Sequence, residues 1–132
     1  MTVALAWRGR VGNAELNALH AEGFAHSLLD VDWEGRLARH SLGWAVARDQ
    51  GRLVGFVNVA WDGGVHAFLL DTVVAVSHRG RGVGEALVQT AVDGAAEARC
   101  EWLHVDWERE LDRFYLDTCG FAPTPAGLQR LR

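Results

Sequence analysis

The segment SLGWAVARDQGRLVGFVNVAWDGGVHAFLLDTVVA, residues 41–75, holds three apolar runs of strand length separated by two short polar turns. In DQGR (49–52), Gly51 supplies the positive φ that a tight hairpin demands, and DGG (62–64) turns the chain a second time. Turns this short leave no room for a crossover, so SLGWAVAR (41–48), LVGFVNVAW (53–61) and VHAFLLDTVVA (65–75) form an antiparallel meander. The third strand is long and mostly apolar, as a strand covered on both faces must be.

The flanking patterns supply the covering layers. Thr2–Trp7 alternates weakly as a first strand. Asn13 reads as a helix cap, with Leu16, Leu19, His20 and Phe24 at helical spacing up to Gly23. A second short helix begins at Asp32, with Trp33, Leu37 and His40 on one side. After the meander, Ala86, Leu87, Ala91 and Val92 mark a helix ending near Ala98. CEWLHV (100–105) reads as a strand and ERELDRFYLDT (108–118) as a helix, and the tail GFAPTPAGLQRLR has room for one more short strand. The order β-α-α-β-β-β-α-β-α-β predicts an α/β fold of the mixed-sheet kind: an antiparallel meander followed by β-α-β-α-β, with helices on both faces. At 132 residues the chain is expected to form a single domain, 1–132.

Between the third strand and the following helix stands RGRGVG, residues 79–84. Glycine at 80, 82 and 84 leaves backbone bare for close approach. The first N–H groups of a helix lack internal partners, and the helix dipole adds partial positive charge there. Arg79 and Arg81 add two full charges. The stretch reads as an anion cradle suited to a diphosphate. It is not a Walker A loop, which needs GK[ST], since every positive side chain here is Arg and Lys is absent. Nor is it the dinucleotide fingerprint, since the glycines are spaced two and two and follow an antiparallel meander.

Composition excludes several classes. A net charge of −4 argues against nonspecific nucleic-acid binding. The apolar runs fall short of the roughly 20 residues of a membrane span. MTVALAWRGRVG lacks the features of a signal peptide, so a cytoplasmic protein is expected. Cys100 and Cys119 lack CxxC spacing and read as small buried hydrophobes, and the six histidines show no metal-ligand spacing, so no metal is expected.

RGRGVG resembles the acyl-CoA loop of the GCN5-related N-acetyltransferases (GNAT), whose pattern Q/R-x-x-G-x-G/A falls on Arg79, Gly82 and Gly84. FYLDTCGF, Phe114 to Phe121, matches a second signature of that family near its C-terminus. The resemblance implies acetyl-CoA as co-substrate and transfer of its acetyl group to an amine by direct attack on the thioester. It places the pyrophosphate on Arg79, Gly80, Arg81, Gly82, Val83, Gly84 and Glu85. It places the pantetheine arm along the backbone of Thr72, Val73 and Val74, where the strand splays from its neighbour. The implied acceptor is a small-molecule amine or a protein N-terminus or lysine, and a homodimer is an expectation of the family alone.

The resemblance makes Tyr115, the only tyrosine, the candidate proton donor to the leaving thiolate; the alternative is a buried helix-face aromatic. For the base, His104 comes first, on the alternating strand CEWLHVDW, and its alternative is a hydrogen-bonded sheet histidine. Asp71 comes second, a lone carboxylate in FLLDTVV, with a strand-end residue bonded to backbone as its alternative. Trp33 is a candidate wall of the acceptor pocket, against a default of core packing. The acidic balance favours a cationic acceptor.

Three positions depart from the family pattern. Val76 stands where proline is common, Glu108 where asparagine is common, and Tyr115 lies five residues before Gly120 rather than four. The extra residue is either absorbed at the helix end or turns Tyr115 away. These departures support a second reading, a GNAT-fold acyl-CoA-binding sensor or interaction module without catalysis.

Overall fold

The computed structural model describes residues 2–132. Five strands, β1 (Val3–Trp7), β2 (Ser41–Asp49), β3 (Arg52–Trp61), β4 (His66–Val74) and β5 (Trp102–His104), form one sheet in the order 1-2-3-4-5. Helices α1 (Asn13–Phe24), α2 (Trp33–His40) and α3 (Val83–Glu97) pack against it. The first four strands are antiparallel and β5 joins β4 in parallel, with α3 as the crossover. The β2–β3 turn is tight because Gln50 and Gly51 both take left-handed φ, 50° and 81°. In the β3–β4 turn, Asp62 Oδ1 accepts from the Gly64 N–H at 2.8 Å.

The helices divide between the two faces. A Cβ added at Gly55 of β3 would press on Leu87 and Val83 of α3. Its neighbour Phe56 points the other way, edge-on to Trp33 of α2, and is fully buried. Burying a ring of that size contributes roughly 1.5–3 kcal/mol. On that second face, a Cβ at Gly23 of α1 would collide with Val73 of β4. On the α3 face, the indole of Trp7 fills the space left by Gly43 and Gly94; a Cβ at either would meet it.

Asn13 is not the cap of α1. Gly12 is, and its N–H donates to Glu15 Oε2 at 2.9 Å. Asn13 instead clips the start of α2, its Oδ1 accepting from the Glu34 N–H at 2.8 Å. The cap of α2 is Asp32, which accepts from the Gly35 N–H. Two other expectations change. Residues 119–132 form no strand. The last helix is not α-helical: a 3-10 turn, Arg109–Leu111, leads into a π-helical turn, Arg113–Thr118. Among the described residues no helix is long and apolar enough to cross a membrane.

Candidate active site

The glycine stretch sits where β4 ends and α3 begins. After a 3-10 turn, Val76–His78, Gly80 and Gly82 take φ of 73° and 80°, with nothing within 4 Å of where their side chains would stand. Gly82 caps α3, and the first bond of that helix runs from the Ala86 N–H to the Gly82 carbonyl at 3.1 Å. The N–H groups of Val83, Gly84 and Glu85 therefore precede the internal ladder and sit at the positive end of the helix. Arg79 anchors the loop by donating to the Gly23 carbonyl at 3.0 Å, while Arg81 is exposed. His78, 9 % exposed, ties the loop to the β2–β3 hairpin through Asp49 at 2.7 Å and contacts the Ser77 hydroxyl at 2.7 Å.

This helix start opens into a cleft made by a fork in the sheet. β5 pairs with β4 only at His66–Trp102, Ala67–Leu103 and Phe68–His104, and then the strands part. The cleft, about 690 Å³, is lined by Thr72, Val73 and Val74 on β4, by Arg79, Gly80 and the residues 82–85, and by Phe114, Tyr115 and Thr118 across from them. Gly84 lets the helix start approach Phe114, whose ring would lie 3.3 Å from an added Cβ.

Tyr115 reaches this cleft because of the π turn. The Cys119 N–H bonds the Phe114 carbonyl at 2.9 Å, five residues back, which takes up the extra residue before Gly120. Trp107 stacks on the Tyr115 ring at 4.9 Å and fixes its plane. Burial pushes the Tyr115 hydroxyl above the ordinary tyrosine range, opposed by its hydrogen bond with Thr72. The phenol is therefore protonated at neutral pH. Cys119 behind it is pushed up to about 11 by burial and by Glu85, so it stays a thiol.

Asp71 lies in a β-bulge. Asn58 faces Leu70 and Phe56 faces Val73, so β4 carries one extra residue there, and Asp71 takes a left-handed φ of 58°. That backbone turns its carboxylate toward α1, where Oδ1 meets His20 Nε2 at 3.0 Å. His104 is at the last paired position before the fork. It contacts His66 Nδ1 through Nε2 at 2.8 Å and stacks on Phe68 at 4.7 Å, outside the residues that line the cleft. Trp33 is 3 % exposed and packs on Phe56 in the core, with its indole N–H lacking a protein partner, so it is no pocket wall.

The family model described as Acetyltransferase (GNAT) family matches residues 12–121. The chain belongs to the GNAT acetyltransferase family. A mycothiol acetyltransferase from Nocardia farcinica is 41 % identical over 70 residues, 52 % of this chain but 22 % of that protein, so the chain spans about a fifth of that relative's length. A putative acetyltransferase from Agrobacterium tumefaciens is similar in structure, with a TM-score of 0.81 at 22 % identity over 98 % of this chain and 99 % of that one. AAC(6')-Iy, solved in complex with the bisubstrate analogue CoA-S-monomethyl-acetylneamine, superposes with a TM-score of 0.73 at 16 % identity over 100 % of this chain and 99 % of that one. At those identities the two structures speak for the fold.

Within this GNAT domain the structure brings Thr72, Val73, Val74, Arg79, Gly80, the residues 82–85 and Tyr115 to one cleft, whereas Asp71, Arg81 and His104 are not among the residues that line it. Sequence reading passed over His20 and His78. His78 had an available signal, since it adjoins RGRGVG. His20 had none, because its partner Asp71 is 51 residues away.

Proposed function

We propose that the chain is an acetyl-CoA-dependent N-acetyltransferase that acts on a small-molecule amine, with residues 1–132 as one catalytic domain. The observation that carries this reading is the convergence on one cleft of the forked β4 edge, the bare-backbone start of α3 and the buried Tyr115 hydroxyl.

The residues fit the co-substrate. Gly80 and Gly82 leave open backbone where a diphosphate needs N–H donors, and Arg79 and Arg81 supply charge at the same loop. The edge of β4 past Phe68 has lost its neighbour on that side, so backbone groups of Thr72, Val73 and Val74 are free to pair with the two amides of a pantetheine arm. When bound, acetyl-CoA supplies an activated acetyl carbon.

The chain's own groups then divide the work. Tyr115, neutral and buried, donates a proton to the departing thiolate, and the N–H near Val74 polarises the carbonyl. Of the two base candidates, Asp71 is favoured, because it adjoins Thr72, whose hydroxyl meets Tyr115. His104, held by His66 and Phe68 at the fork, is read as part of the acceptor side. A small-molecule amine is favoured by the resemblance to a mycothiol acetyltransferase and by fold neighbours named for glucosamine-6-phosphate and acetylneamine.

The test is a thiol-release assay with acetyl-CoA and a panel of amino sugars, polyamines, peptide N-termini and lysine peptides. Turnover with an amino sugar is expected. Tight CoA binding with no turnover on any amine would favour the non-catalytic module instead.

A further inference from the structure

His20 stands between two partners. Its Nε2 lies 3.0 Å from Asp71 Oδ1, and its Nδ1 lies 2.7 Å from His26 Nε2. His26 Nδ1 in turn lies 2.7 Å from the Ser27 carbonyl oxygen. The rings of Phe24 on α1 and Trp33 on α2 pack against the His20 imidazole, with centroids 4.5 and 5.4 Å away. Among the described residues, Asp71 and His26 are the titratable groups bonded to it.

One end of this chain of bonds sets the direction of all of them. A carbonyl oxygen only accepts, so His26 Nδ1 carries the hydrogen. A neutral His26 then has a bare Nε2, which accepts from His20 Nδ1–H. In a neutral His20 the remaining nitrogen, Nε2, is bare as well. It would face a carboxylate oxygen at 3.0 Å, two acceptors with nothing between them. The contact requires one further proton, held between His20 Nε2 and Asp71 Oδ1. The cluster thus holds one proton more than two neutral imidazoles and a carboxylate would.

The bulge aims this array. Asp71 engages His20 through Oδ1, and the residue that follows it on the bulged strand, Thr72, lines the cleft together with Tyr115. At the far end His26 lies in the loop after α1, half-buried beside exposed Ser27.

Resting on the acetyl-transfer reading, we infer that Asp71, His20 and His26 form a proton relay leading from the acceptor amine to the surface of the α1–α2 loop. Asp71 is the base, and His20 and His26 act through it as positioning residues. As the amine nitrogen bonds the acetyl carbon and the carbon–sulfur bond breaks, the nitrogen gives a proton to Asp71 Oδ2. His20, now beside a neutral acid, keeps its Nε2 proton and passes its Nδ1 proton to His26 Nε2. His26 releases its Nδ1 proton to water. One proton enters the three side chains and one leaves them for water; the thiolate takes its proton from Tyr115, and the tyrosinate takes one back from water, so the transfer is neutral overall.

The test uses the full chain and has two arms. Ring 15N–1H spectra of histidine-labelled protein at pH 7, assigned with His20→Gln and His26→Gln, should show His26 protonated at Nδ1 and His20 protonated at both nitrogens. Asp71→Asn should return His20 to a single ring proton. A neutral His20 in the unaltered chain overturns the relay. In the thiol-release assay, with an amine the unaltered chain turns over, His20→Gln should keep the Tm and the KM for acetyl-CoA while kcat falls about 10- to 100-fold. His26→Gln should lower kcat less, with part restored by added imidazole. Unchanged kcat in both variants overturns the relay. Failure of the unaltered chain on every amine overturns the acetyl-transfer reading, and the relay with it, whatever the ring spectra show.

Discussion

Tyr115 carries a hydroxyl that packing alone does not need. Trp107, Phe114 and Phe121 surround its ring, and a phenylalanine would fill the same space. Tyr115→Phe should therefore leave the Tm within a few degrees and the affinity for acetyl-CoA unchanged, while kcat falls about 100-fold, within the usual contribution of a positioned acid. Steady-state kinetics beside a melting curve checks both halves. Gly82 makes the opposite case. A methyl there meets nothing, so any cost of Gly82→Ala comes from the backbone at φ 80°. Strain of that kind costs about 1–2 kcal/mol. Either the Tm drops by several degrees or the helix start shifts, and CoA affinity measured by calorimetry weakens in both cases.

At the scale of elements, α1 is fastened to β2 by Glu15. Its carboxylate accepts from Arg48 at 2.6 and 2.9 Å and from the Gly12 N–H. The Arg48 guanidinium first, then the Gly12 N–H, hold the Glu15 carboxyl below its ordinary range against a burial effect that raises it. A carboxyl lowered in the folded state contributes stability that is present above its unfolded pKa and is lost as pH falls through the folded one. Glu15 is about a third exposed, so solvent screening limits the effect to roughly 1 kcal/mol. Glu15→Gln should lower the Tm at pH 7, and the gap to the unaltered chain should close as pH falls below about 4. Thermal melts across that range decide it, and a gap that persists at pH 3 would point to packing instead. The π turn, Arg113–Thr118, belongs to the same scale: it converts a shifted spacing in the chain into a tyrosine aimed at the cleft.

For the molecule as a whole, a ligand that binds only the folded chain stabilises it by mass action. Acetyl-CoA at about 100 times its Kd should add about 2.7 kcal/mol, a Tm rise of about 10 °C at this size. Removing the nucleotide by dialysis should reverse it, and no shift at millimolar acetyl-CoA would remove the cofactor assignment. The meander, the strand-to-helix loop and the order of elements are all legible in residues 41–98, because period, turn glycines and helix starts are local properties of neighbouring residues. The glycine cradle belongs with them, since its chemistry is written within six consecutive positions, 79–84. The last helix and the tail read less well: a π turn and an α-helix share much of their residue pattern, and nothing in GFAPTPAGLQRLR names a partner strand. The fork, the seat of Trp7 between Gly43 and Gly94, and the bond from Asp71 to His20 lie beyond local pattern altogether. Each depends on where a distant element docks, and a strand that stops pairing after three residues looks in sequence like one that continues. Periodicity says which face of an element is apolar, but only packing in three dimensions sets which distant side chain comes within 3 Å of another.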